Sequence, residues 1–161
     1  MNKKILIVVL TLMVFVALVG GTLIFLKSNP PLEINMQATN ENQHFAVVGF
    51  GNKGWGDIHV TDVAVNDYED PQDSKIQVSN EVQGLVHTDD FQSEAAQPYR
   101  FLNFDEVTIQ TGTSPPHDAE SASKDEEIYG LNVIHNEEIR TIHIQYSYFG
   151  ITLFEEVEIS F

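Results

Sequence analysis

Cysteine is absent from the 161 residues. Its absence excludes a disulfide scaffold, a thiol nucleophile, a thiolate metal site and an acylated lipoprotein cysteine. Cations are scarce too: Lys+Arg number 8 against 24 Asp+Glu. Tryptophan occurs once, at position 55. Internal repeats are missing, and so are the usual metal spacings. There is no Gly-x-Ser-x-Gly turn and no His-Glu-x-x-His pair among the 6 histidines. Charge is itself absent from one stretch, Ile5 to Leu26, 22 residues of which 16 are Leu, Ile, Val or Phe.

That run predicts a transmembrane helix over residues 5–26. At ~1.5 Å per residue it reaches about 33 Å, enough for a ~30 Å hydrocarbon core. Lys3, Lys4 and the terminal amine precede it and only Lys27 follows, so the positive-inside rule puts residues 1–4 in the cytoplasm and the rest outside the cell membrane. A cleaved signal peptide is the competing reading. Signal cores run to ~7–15 residues, and the length here favours retention. Residues 27–31 form a spacer stiffened by Pro30-Pro31.

Residues 32–161 then read as one extracytoplasmic domain. Every acid lies in it with five cations, a net charge of −19. Such a surface disfavours nucleic acid and flat adhesion to anionic lipid. Strand patterns dominate. Leu32, Ile34 and Met36 alternate with polar residues, and Phe45 to Val48 is apolar. Ile58 and Val60 give way to Val63 and Val65 after a slip that predicts a bulge near Thr61-Asp62.

Ile142, Ile144, Tyr146 and Tyr148 share one face. Phe149-Gly150 reads as a two-residue turn into Ile151, Leu153, Val157 and Ile159, with Glu155 interrupting that stripe. Ile128 to Ile134 is expected to pair beside this hairpin through Asn136 to Glu138. Val82 to Thr88 and Tyr99 to Ile109 are further strand candidates, with a helical turn or two in 89–97. Asn66 to Ser74 is an acidic turn, and Thr111 to Glu127 a polar loop expected to be mobile.

Seven or eight short strands point to an all-β, antiparallel β-sandwich. The stretch GNKGWGDIHVTDVAVND resembles bacterial immunoglobulin-like domains, in which an Asn-x-Gly turn leads into a strand ending in a Val-Asn pair. Asn52, Gly54, Val65 and Asn66 hold those positions. The chain is also similar to small N-terminally anchored proteins of Gram-positive bacteria. That likeness implies a location and no chemistry.

Four features invite a chemical reading. Gly49 to Gly54 matches Gly-x-Gly-x-x-Gly, but a strand pattern follows where a dinucleotide turn needs a helix. It is read as a strand end and turn, and no cofactor is expected. Asp67, Glu69, Asp70 and Asp73 cluster without the spacing of a calcium loop, and are read as a solvated turn. His135 and His143 are placed to face one another across a hairpin, short of a zinc site. Trp55, between two glycines, is either a partner contact or a lid over the end of the sheets, and the lid is favoured. The expectation is a non-enzymatic, membrane-tethered interaction module whose partner is an envelope protein or a cell-wall component. The alternatives are a metal- or carboxylate-dependent envelope hydrolase and a structural subunit of a membrane complex.

Overall fold

A computed structural model describes residues 3–80, 82–114 and 127–159. The chain divides into two compact units, residues 1–30 and 31–161.

The first unit is helix α1, Lys3–Ser28, which extends the charge-free run by two residues at each end. Its side chains are solvent-exposed on all sides and none is buried. Leu10, Val14, Phe15, Leu18 and Ile24 all stand in the open. The polar exceptions are handled internally: Thr22 Oγ1 donates to the Leu18 carbonyl four residues back, at 2.9 Å. A helix apolar around its whole circumference matches a hydrocarbon environment and no aqueous one. By length and composition it is able to cross a membrane, a property signal sequences share.

Among the described residues the second unit holds eight antiparallel strands: β1 Leu32–Thr39, β2 Phe45–Asn52, β3 Ile58–Val65, β4 Asp73–Asn80, β5 Arg100–Leu102, β6 Glu127–Ile134, β7 Thr141–Tyr148 and β8 Ile151–Glu158. They form one sheet in the order β1-β2-β6-β4-β5 and a second in the order β3-β7-β8. The expected slip near Thr61-Asp62 is present, since the β3–β7 register shifts between Val60 and Asp62. The β7–β8 hairpin is as expected, with Tyr148 opposite Ile151. Phe149 and Gly150 both have positive φ, at 50° and 73°, the pattern of a type I′ turn whose twist suits two antiparallel strands.

β6 departs from its expected place. It pairs with β2 and β4 in the larger sheet instead of lying beside β7. The connection 135–140 crosses between the sheets. His135 N donates to His44 O (2.9 Å) and Ile139 N to Gln43 O (2.8 Å). Arg140 N then donates to the Asn66 side chain (2.8 Å). Those bonds satisfy the backbone outside any hairpin.

β2 is buried along its whole length, so both faces of the larger sheet are covered at its centre. Register puts Val48, Leu131 and Ile76 on one face, with Phe50, Tyr129 and Val78 beside them. On the other face lie Gly49, Gly130 and Gln77, together with Asn132. The irregular segment 82–99 covers this second face. Leu85 fills the space over Gly130, where a Cβ would lie 2.6 Å from Leu85 Cδ1. With its amide oriented to match, Gln77 donates to Val86 O (3.2 Å) and accepts from Val86 N (3.0 Å). A side chain thus takes the bonds that a neighbouring strand would need, and Val82–Thr88 forms no strand. Of Tyr99–Ile109 only Arg100–Leu102 is a strand, followed by a 3₁₀ turn at Phe104–Glu106. Segment 89–97 forms isolated turns, with Ala96 buried. Residues 115–126 of the polar loop lie outside the described residues.

In the smaller sheet, β7 alternates between half-buried and buried, its inner residues being Ile142, Ile144, Tyr146 and Tyr148. The Tyr146 hydroxyl meets the backbone of Leu32 in β1, and burial holds it well above the ordinary phenol range. Glu155 sits on the inner stripe of β8, an edge strand. Burial raises its pKa, opposed by the nearby Lys53 cation. A carboxylate turned inward on an edge resists pairing with a further strand.

Candidate functional site

One end of the second unit carries an ordered loop with Trp55 at its apex. The loop leaves β2 at Asn52, which is fully buried. An amide is suited to this position because it donates and accepts at once. Asn52 Nδ2 donates to Gly56 O (2.8 Å) and Ile109 O (2.9 Å), and Oδ1 accepts from Gly54 N (2.9 Å). Its backbone is tied as well, to Thr113 O and from Gly112 N. The Thr111 hydroxyl donates to the Gly54 carbonyl. From the second sheet, the Tyr148 hydroxyl accepts the Trp55 backbone N–H at 2.8 Å.

Close approach bears most firmly on Gly54, since what faces Gly56 is the far end of the exposed Phe149 ring. A Cβ on Gly54 would lie 2.7 Å from Tyr148 Oη and 2.8 Å from Pro31 Cβ. A Cβ on Gly56 would lie 2.6 Å from Phe149 Cζ. The Phe149 ring therefore lies over Gly56, and its edge meets Tyr148 with centroids 4.6 Å apart.

Trp55 does not fold back over the sheets. It is 84% exposed, and Phe149 beside it is 69% exposed. The loop is fixed by hydrogen bonds made through backbone and by Asn52, so the indole is free to point outward. The lid reading fails because Tyr148 and Pro31 already occupy that end. Sequence reading took Phe149 for a turn residue only. The usable signal was an aromatic at the first position of a type I′ turn, where Asn, Asp or Gly is the relaxed choice.

The other candidates do not converge. Among the described residues no three His, Asp or Glu come together in a way that suits a metal ion. Glu69 pairs with His135 Nε2 at 3.3 Å, while Asp73 caps the Ser74 N–H at the start of β4. His143 is engaged elsewhere. It stacks on Tyr68 at 4.1 Å, donates from Nε2 to Asn66 O (2.7 Å) and places Nδ1 3.4 Å from Glu156. The two histidines thus take separate partners. Gly49 to Asn52 continue β2 and lead into β3, without a helix.

An open groove of about 800 Å³ runs past His59, Thr61, Asp73, Lys75, Asn103 and Asp105. The Lys75 ammonium already donates to the Asn103 amide oxygen across it, and among the described residues the buried polar atoms without a partner, on Ser79, Asn132 and His135, lie outside its lining. One nucleophile spacing, Ser121-x-x-Lys124, lies outside the described residues.

No protein-family model, curated protein or solved structure matches the chain.

Proposed function

We propose that this chain is a membrane-tethered interaction module: α1 stays in the cell membrane with residues 1–4 in the cytoplasm, and the acidic β domain stands outside. The domain is of the immunoglobulin-like sandwich class. Supporting that class are its two antiparallel sheets, the crossing at 135–140 and the reach of Tyr146 from β7 to Leu32 in β1. The partner is another envelope protein or a cell-wall component, and the domain acts by binding rather than by catalysis.

The observation that carries the reading is the pairing of a helix with no buried side chain, built on the charge-free run 5–26, with a well-packed domain whose cores are apolar and whose surface is acidic. Retention of α1 rests on the length of the apolar run, and orientation rests on Lys3 and Lys4. Trp55, ordered and outward, is free to make a contact.

A protease applied to intact cells or protoplasts carrying a C-terminal tag tests this reading. Loss of the tag with a short membrane-bound stub is the expected result. A tag protected in sealed protoplasts, with no secreted form, reverses the orientation and removes the proposal.

A further inference from the structure

We propose that the Trp55–Phe149 tip seats in the interfacial layer of the same membrane that holds α1, so that the domain rests on the bilayer through two aromatic side chains. This inference depends on the anchor reading given above.

The tip lies where the chain enters the domain. Lys53 N donates to Pro31 O at 3.0 Å, and the Gly54 site lies against Pro31 Cβ. Helix α1 ends at Ser28, and three residue steps to Pro31 span at most about 11 Å. The headgroup layer on one side of a bilayer is itself ~5–7 Å deep. A spacer this short lets the Trp55 loop come down to that layer when it lies along the membrane surface.

The chemistry of the tip suits the layer. Trp and other aromatics concentrate at membrane–water interfaces because the ring is apolar and its edge is polar. Trp55 is 84% exposed, and its only hydrogen bond among the described residues is the one made by its backbone N–H. That leaves the indole N–H for a headgroup oxygen. Gly54, Gly56, Phe149 and Gly150 are uncharged, and Lys53 beside them is a cation for lipid phosphate. Asp57 is two residues along the chain, exposed Glu33 stands opposite Gly51 and half-buried Glu155 interacts with Lys53, so zwitterionic headgroups fit better than anionic ones.

Phe149 supplies an independent sign. Its backbone sits at φ 50°, a region unfavourable to an aromatic residue and natural to Asn or Gly. The ring stays 69% exposed and adds little to the core. A strained backbone that carries an exposed aromatic points to use of the ring outside the folded chain.

Trp55 is the single tryptophan, so its fluorescence in the full-length chain reports on the tip alone. The chain is reconstituted in phosphatidylcholine vesicles, and flotation resistant to carbonate checks the anchor separately. The expected result is a blue-shifted emission, shielding from acrylamide, and quenching of about two-fold or more by lipids brominated near the headgroup. Phe149→Asn weakens that quenching, and anionic vesicles weaken it too. A floating chain whose Trp55 remains open to acrylamide and untouched by brominated lipid overturns the proposal while leaving the anchor intact. Shielding that arises only on adding an envelope protein fraction also overturns it, in favour of a protein partner. A chain that does not float removes the anchor reading and this inference together.

Discussion

Replacing Asn52 by Ala removes the element that holds the Trp55 loop. Three side-chain hydrogen bonds vanish, two donated to Gly56 O and Ile109 O and one accepted from Gly54 N, all between 2.8 and 2.9 Å. Each is worth about 1 kcal/mol net, and a buried group left unpaired adds to the loss. Ile109 O retains the Ile58 N–H, and Gly54 and Gly56 are only half-buried, so water recovers part of the cost. The expected destabilisation is about 2–4 kcal/mol, which for a domain of this size lowers Tm by roughly 10 °C. Asn52→Asp is expected to be worse at neutral pH, because it turns a carboxylate toward two carbonyl oxygens in a buried site. Urea denaturation of the full chain in mild detergent, followed by far-ultraviolet circular dichroism, gives the order wild type, Ala, Asp. An Ala variant within about 0.5 kcal/mol of wild type would refute the claim that Asn52 holds the loop.

Phe149→Asn relaxes a positive-φ residue, worth about 1 kcal/mol, and forfeits an edge contact with Tyr148 of about the same size. Stability measured in the same way is therefore expected to change by less than about 1 kcal/mol, and a larger loss would make Phe149 a structural residue. Glu155→Gln is expected to stabilise the domain at neutral pH. The folded-state pKa of Glu155 is raised by burial, so the folded chain binds that proton more tightly than the unfolded one. The penalty on the carboxylate is present above the folded pKa and disappears as pH falls below the unfolded pKa. The gain from Gln follows that window and stays under about 1 kcal/mol, since the group keeps much of its solvent. A gain that persists unchanged at acid pH would contradict the sign. Tyr129, pushed up to about 12 by burial and by the Glu127 carboxylate beside it, is expected to lower stability as pH rises from the ordinary phenol range towards 12. Alkaline melting curves of wild type and Tyr129→Phe read this directly, the Phe variant losing that slope.

Local signals carried the legible part of the fold. A charge-free run specifies α1, strict alternation specifies β7, and Phe149-Gly150 specifies the turn. The phase slip after Val60 marks the bulge, because an extra residue flips every later side chain. Sheet membership was less legible. β6 and β7 follow one another in the chain, yet β6 pairs with β2 and β4, and bonds from His135, Ile139 and Arg140 carry the connection across. Segment 82–99 misled for a related reason. Leu85 and Ala96 are covers for the sheet, and Gln77 satisfies Val86 through a side chain that no periodicity reveals.

The tip was half legible. Asn52 and Gly54 were singled out for their turn, which matches their role in holding the loop. The outward stance of Trp55 depends on Tyr148 and Pro31, which lie 93 and 24 residues away in sequence and close the space the indole would otherwise fill. A large aromatic between glycines is ambiguous until those neighbours are known.

Because the chain has no cysteine, single-cysteine labelling with a membrane-impermeant maleimide tests the central claim most directly. Asn2→Cys marks the amino terminus and Glu94→Cys an exposed site on the β domain. A retained anchor with an external domain predicts one full-mass species, labelled at position 94 in intact cells and at position 2 only after permeabilisation. Protection of position 94, or loss of position 2 from a shortened secreted chain, would contradict it.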